Sequence, residues 1–495
     1  MADTSTFLTG NFLVLNVDVG KYKVHYPVFT PEESELAETM VRVLRKELPL
    51  VDVVFARLGK DYESLFKSSF REMVIQKIPA AMYSRLPSGE ERRRIEDVLR
   101  TYLKAFPVDP DKVARHVVRE VFGLGVIDLL LEDENLEEIM INGPDKPVFV
   151  YHRQLGNCET DITLSRREIV NIARKVATFN KRIFSEQYPI LDARLPDGSR
   201  LNAVLDPIAE GGPTLTIRKF RRAFLSILDL IRNNTLTPEV AAFLWLAVEG
   251  LGIAPQNIII AGGTGAGKTT TLNALIDFIP KDERIITVED TRELDLSWRK
   301  NHVCLVTQES GAKVDMDTLL RTALRMRPDR LIVGEVRGPE AETLFVAMNV
   351  GHRGTMGTLH ANSAREAIVR LSSPPMNVPK ELLPLVNIIV VQHRIRTANG
   401  LIRRVTEIAE VSRMEDNVLL STLYRLDPKT MEPKRENIPA HTIEHMSEIT
   451  GMSKKDIMRE LARREALLLW AKDHLKKREE FVRVVESYYR GEIRG

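Results

Sequence analysis

Cysteine is nearly absent: Cys158 and Cys304 stand far apart and form no C-x-x-C pair. That excludes a disulfide framework and a cysteine-ligated zinc module, and it suits a reducing cytosol. An excess of either charge is also missing. With 71 Lys and Arg against 69 Asp and Glu the net charge is +2, so no global basic footprint marks a nucleic-acid binder. Aromatic residues make up 6% of the chain, with three Trp, which gives little support to a row of base-stacking platforms. The longest apolar stretch, residues 240–254, is interrupted by Glu249 and is shorter than a bilayer requires. No signal-peptide pattern opens the chain. A cytoplasmic protein is expected, with any membrane role running through a partner. Six Gln and two Cys beside 28% charged residues suit a thermophile.

What is present is one stretch around which the rest is organised, residues 257–271. The apolar run Asn257-Ile258-Ile259-Ile260-Ala261 has strand character and ends in a glycine-rich loop. That loop feeds a helix pattern (Leu272, Ala274, Leu275, Phe278, Ile279) stopped by Pro280. Gly262-Gly263-Thr264-Gly265-Ala266-Gly267-Lys268-Thr269 fits G-x-x-x-x-G-K-[ST], which wraps a nucleotide's phosphates. Glycine lets backbone N–H groups turn inward as an anion nest. The helix beginning near Lys268 aims its positive dipole end at the same place. Lys268 is expected to neutralise the β and γ oxygens of ATP, and the Thr269 hydroxyl to ligate Mg²⁺.

Length predicts about three domain-sized units. Residues 12–19 alternate weakly and predict an edge strand. Helix starts at Thr30-Pro31, Ser88-Gly89 and Asp109-Pro110 make 1–125 a mostly helical N-terminal docking domain. Over 126–220 the pattern turns α+β, with strands near 138–141, 147–153, 192–195, 200–205 and 214–218 and a helix starting at Ser165. Residues 221–236, entered through a basic connector around Phe220, read as a hinge linker. From 237 to 495 strand–helix units repeat, the mark of a parallel, helix-covered sheet. Its strands are expected at 257–261, 284–288, 302–306, 330–333, 355–359 and 388–392, with a helical tail from Ser453. The fold class is α/β.

Open α/β sheets bind ligands beyond the carboxyl ends of their strands, so polar residues there are candidates. Glu289-Asp290 ends one strand: either two acids that position Mg²⁺ or polarise a water, or a solvated strand end. Another strand ends in Gly334-Glu335, where a Walker B strand usually carries Asp. Gly334 takes that place, and Glu335 becomes the candidate to orient the hydrolytic water. His360 ends a third strand, placed either to sense the γ-phosphate and bond Glu335 or to serve structure alone. Arg194, Arg200 and Arg218 cluster in the last strands of the preceding unit, either as arginine fingers or as solvated strand residues.

Together these stretches resemble the type II/IV secretion ATPases, which power type II secretion, type IV pili and the archaellum. Residues 262–270, closing on Thr270, are similar to that family's Walker A, 286–290 to its Asp box, and 331–337 to its Walker B, with Gly before Glu. Residues 351–363 resemble its His box, and 194–200 with 216–218 the segment that carries its arginine fingers. The missing four-cysteine module, the long N-terminal extension and the tail look like the archaeal branch, most of all the archaellum or type IV pilus assembly motor. The resemblance implies a C-terminal RecA-like P-loop ATPase domain behind a small α+β (PAS-like) domain and the helical one. It implies a homohexamer using ATP and Mg²⁺, with the metal at Thr269 and Asp290 and with Glu335, Glu289 and His360 catalytic. Arg194, Arg200 and Arg218 would act in cis or in trans. The implied partners are a polytopic membrane platform protein, filament accessory proteins and an anionic membrane surface at the inner face of the cell membrane, with no nucleic acid. A type II secretion or adhesive pilus ATPase is the alternative within the family, and a RecA-like nucleic-acid motor the alternative outside it.

Overall fold

The structure, a computed structural model, describes residues 20–493 apart from 25, 46–69, 71–76, 79, 84, 221–223, 309–312, 398–399, 415–416 and 439. The edge strand expected over 12–19 lies outside the described residues, as does part of the basic connector. The chain divides into two units, Met1–Arg221 and Arg222–Gly495.

The first unit runs β1 (Gly20–Lys21), α1 (Pro31–Leu44), α2 (Gly89–Leu103), α3 (Pro110–Val121), α4 (Ile127–Glu132), β2 (Leu136–Ile141), β3 (Pro147–His152), β4 (Gly156–Thr163), α5 (Arg166–Phe179), β5 (Ile190–Arg194), β6 (Arg200–Val204) and β7 (Thr214–Arg218). Three of its helices, α1, α2 and α5, begin where a capping box is written. Thr30, Ser88 and Ser165 each accept from the N–H three residues on, and Glu33, Glu91 and Glu168 reach back to the cap N–H. Orphan donors at each helix start are thereby paired. α1 to α3 close round Leu36, Met40, Leu99, Leu103, Val113 and Val117. The strands form one sheet in the order β1-β4-β3-β2-β7-β6-β5. The segment ahead of α1 joins this sheet rather than the helices: Gly20 pairs in parallel with Cys158, and Val24 enters the core beneath the strands.

The second unit runs α6 (Ile227–Arg232), α7 (Pro238–Glu249), β8 (Ile258–Gly262), α8 (Lys268–Leu275), β9 (Ile285–Glu289), β10 (His302–Val306), α9 (Met316–Leu324), β11 (Arg330–Val336), α10 (Glu340–Asn349), β12 (Met356–Leu359), α11 (Ala364–Ser372), β13 (Ile388–Thr397), β14 (Gly400–Met414), β15 (Asn417–Asp427), β16 (Glu432–Arg435), α12 (Ala440–Thr450), α13 (Lys454–His474) and α14 (Arg478–Tyr489). The sheet order is β10-β9-β11-β12-β8-β13-β14-β15-β16, with β10 to β13 all parallel in that order. β8 shows why its residues are apolar throughout. Ile258 and Ile260 enter one core with Phe243, Trp245 and Leu272, while Ile259 and Ala261 enter another with Ile286, Leu331 and Val333. A strand covered on both faces has no polar side to write.

Beyond β13 the sheet departs from the all-parallel expectation. β14, β15 and β16 add as antiparallel neighbours, in a region such as Arg403-Arg404-Val405-Thr406-Glu407-Ile408 whose charges interrupt any apolar run. The apolar stretch at 240–254 is mainly α7, every residue of which from 240 to 249 is buried, as expected of a helix apolar all round. Among the described residues no helix is long and apolar enough to cross a membrane. The tail helices are held by buried charge: Arg464 pairs with Glu249 at 2.7 Å and Glu460 at 3.0 Å, and Arg478 with Asp277 at 2.8 Å and Asp295 at 3.0 Å.

Candidate functional site

The parallel order places the ends of β9, β11, β12 and β8 side by side, and the predicted residues of the second unit gather there. Gly265 and Gly267 take φ of +70° and +95°, a region that side chains resist. Gly267 is the N-cap of α8 and offers no side-chain cap, so no cap side chain competes with an anion for the start of the helix. Lys268 is only 7% exposed. Its Nζ donates to the Gly262 carbonyl at 2.9 Å and the Gly263 carbonyl at 3.1 Å, and lies 3.4 Å from His360 Nε2. Ala266 is buried, Thr269 and Thr270 are half-buried, and Thr264 is exposed.

Glu335 reaches the same point through an irregularity in its strand. Val333 pairs with Gly357 and Val336 with Leu359, so β11 spends one more residue than β12 over this step. Such a bulge re-aims a side chain, and Glu335 Oε1 comes to 3.4 Å from His360 Nε2. Thr358 Oγ1 donates to the Gly334 carbonyl at 2.6 Å and fixes the bulge. The absence of a side chain at Gly334 has a local reason: a Cβ there would lie 3.0 Å from Glu289 Cγ.

Glu289 is 1% exposed, and its Oε1 accepts from the N–H groups of Glu293 at 2.8 Å and Leu294 at 3.0 Å. Burial outweighs those bonds and pushes the carboxyl up from 4.5 to about 7. Because the fold then holds the proton more tightly than the unfolded chain does, the resulting stability is complete below about pH 4.5. It is lost as pH rises through about 7. In denaturant melts, the stability of the parent minus that of Glu289→Gln is expected to fall by about 2–3 kcal/mol between pH 5 and pH 8. A difference that does not change with pH would mean that the buried carboxyl stays ionised.

Asp290 pairs with Arg337 and accepts from Thr307 Oγ1 at 3.3 Å. Arg194, Arg200 and Arg218 belong to the first unit. Arg194 stands opposite Arg200, and Arg200 opposite Arg218, so the three form one row on one face of the sheet. Sequence reading missed the residues of the second unit that flank the glycine-rich loop from β13 and β14, Gln392, Arg394 and Arg403. Their only signal was two arginines nine positions apart in a stretch assigned no second strand.

A loop of this backbone with a buried cation can hold a multiply charged anion, and the imidazole–carboxylate pair beside it can orient a water. This is an α/β protein with an anion crevice at the tips of parallel strands. The chain belongs to the type II/IV secretion system protein family, whose model matches residues 123–454. An uncharacterized protein of Methanocaldococcus jannaschii is 41% identical over 325 residues, 64% of this chain and 43% of that protein, so the chain spans less than half of this relative's length. The type IV secretion system protein PtlH of Bordetella pertussis is 35% identical over 323 residues, 58% of this chain and 94% of PtlH. Among solved structures, the VirB11 ATPase from the Brucella suis type IV secretion system, in complex with sulphate, shares 28% identity at a TM-score of 0.30, covering 57% of this chain and 92% of that one.

Proposed function

We propose that this protein hydrolyses ATP to drive an archaeal type IV pilus-like filament, the archaellum before a type II secretion system or an adhesive pilus. The observation that carries the reading is the convergence of Lys268, His360 and Glu335 on a glycine-rich loop at a strand tip. Residues 262–270 would wrap the phosphates, with the backbone N–H groups and the start of α8 meeting their charge. Lys268 would stay beside the terminal phosphates, Glu335 would orient the attacking water, and His360 would link the two. Thr269 and Asp290 offer a hydroxyl and a carboxylate, an all-oxygen donor pair that suits a hard cation completing its shell with water and phosphate. Mg²⁺ held there would supply charge neutralisation on the phosphates.

In this reading 237–495 is a RecA-like ATPase domain with a helical tail, 126–220 a PAS-like domain, 1–125 a docking domain and 221–236 the hinge. The row Arg194, Arg200 and Arg218 would bring cationic charge to a nucleotide, in its own subunit or in a neighbour of a homohexamer. The ring would sit at the inner face of the cell membrane and work on a polytopic platform protein with accessory filament proteins. The identity to a Methanocaldococcus jannaschii protein supports the archaeal assignment. Phosphate release from ATP is expected to rise when vesicles containing anionic lipid are added and to be unmoved by DNA. Stimulation by DNA alone would transfer the reading to a nucleic-acid motor.

A further inference from the structure

The phosphate loop is gripped from outside by a hairpin that the nucleotide reading leaves without a role. β13 lies parallel to β8 and pairs Gln392 with Gly262, the residue on which the loop opens. Side chains alternate along a strand, so Gln392 and Arg394 share a face. Arg394 stands directly opposite Arg403 of β14, which therefore shares it too. All three bear on the loop. Gln392 is 1% exposed, and its two bonds fix the amide: Oε1 accepts from Thr271 Oγ1 at 2.6 Å, and Nε2 donates to the Ala266 carbonyl at 2.8 Å. Arg403 Nε donates to the Gly265 carbonyl at 3.0 Å.

A trans peptide points its N–H away from its C=O. Drawing the carbonyls of Gly265 and Ala266 toward the hairpin turns the N–H groups of Ala266 and Gly267 away from it. The Ala266 N–H closes a turn onto the Gly263 carbonyl. Lys268 Nζ holds the carbonyls of Gly262 and Gly263. Four carbonyls of the loop are thus committed. The hairpin side chains lie close against the loop: a Cβ on Gly267 would lie 2.9 Å from Gln392 Nε2, and one on Gly265 would lie 3.0 Å from Arg394 Nη1. Further along β14, Glu407 Oε2 accepts from the Ala364 N–H at 3.0 Å, at the start of the helix that follows His360.

We propose that Gln392 and Arg403 are positioning residues that preset the phosphate loop in its anion-binding form by holding its carbonyls outward. Arg394 adds a second guanidinium at the rim. Like charges set opposite each other disfavour a strand pair, and here both lie against the loop that would collect a triphosphate's charge. The brace rests on the nucleotide-binding reading above. It acts on affinity, because an unheld peptide can flip and present a carbonyl to the phosphates.

The test is equilibrium binding of a fluorescent ATP analogue to the full chain, with steady-state hydrolysis and thermal melts in parallel. Arg403→Met keeps the stem and removes the donor. It is expected to weaken binding about tenfold, with the loss falling mainly on KM, and to shrink the rise in melting temperature that ATP gives while the nucleotide-free midpoint holds. Arg403→Lys can still donate to Gly265 and should recover most of the affinity. Gln392→Glu, read at about pH 9 so that burial does not keep the carboxyl protonated, keeps an acceptor for Thr271 but cannot donate to Ala266, and should lose at least as much as Arg403→Met. Parental affinity in both Arg403→Met and Gln392→Glu would overturn the brace and leave the nucleotide site standing. A parent protein that binds no nucleotide would overturn both.

Discussion

Lys268→Ala protein is expected to turn over ATP about 10²–10³-fold more slowly than the parent and to bind it weakly. The size of the effect follows from where Nζ sits. It is buried at the start of α8, held by two loop carbonyls and next to His360. Truncation removes the Lys268 charge from the cradle, takes this donor from the Gly262 carbonyl and leaves the Gly263 carbonyl with the Ala266 N–H, so the loop carbonyls are less firmly held away from the phosphates. Both consequences oppose a polyanion, and the second also loosens the loop. Phosphate-release rates and equilibrium binding of a nucleotide analogue measure the two parts separately. Turnover near the parental rate would remove residues 262–269 from the site.

Glu335→Gln should behave differently. Glutamine keeps the length and shape of the side chain and can still bond His360, so ATP binding is expected to survive. What is lost is the carboxylate that polarises a water, and hydrolysis is expected to fall by about 10²–10⁴-fold. Bound nucleotide should then persist unhydrolysed, which single-turnover measurements detect directly. A variant that cycles at the parental rate would exclude Glu335 from orienting the water and leave His360 or Glu289 to be tested in its place. The pair of variants separates binding from chemistry: Lys268→Ala loses both, and Glu335→Gln keeps the first.

The parts of this molecule that were legible in sequence are those whose cause is local. A capping box lies within four residues, so the starts of α1, α2 and α5 could be read directly. The strand expected over 302–306 coincides with β10, and the apolar run before the glycine-rich loop is β8. What could not be read depends on neighbours distant along the chain. Gly334 was visible as a departure from the usual acid. Its reason is the Glu289 side chain from the adjoining strand and a bulge that exists only relative to β12. The strand at Gly20–Lys21 has two residues and is defined by β4 alone. β14 is broken by charge at Arg403, Arg404 and Glu407, and β15, although apolar at Leu419, Leu420 and Leu423, shows its place only through its pairing; both strands send residues such as Val405, Ile408, Leu423 and Tyr424 into the core. Arg403 belongs to no motif, and its bond to the Gly265 carbonyl joins residues far apart in the chain.

The ion pair at the end of α8 has a mechanical side. Asp277 lies two residues beyond the helix that Lys268 begins, fully enclosed, and its counter-charge, Arg478, opens the last helix of the chain. Arg478 also grips Asp295, one residue past the Leu294 amide bound by Glu289. The last helix is thereby tied both to the far end of α8 and to the segment after β9, and shortening the chain to before residue 478 would strand an enclosed carboxylate behind the very helix that presents the lysine.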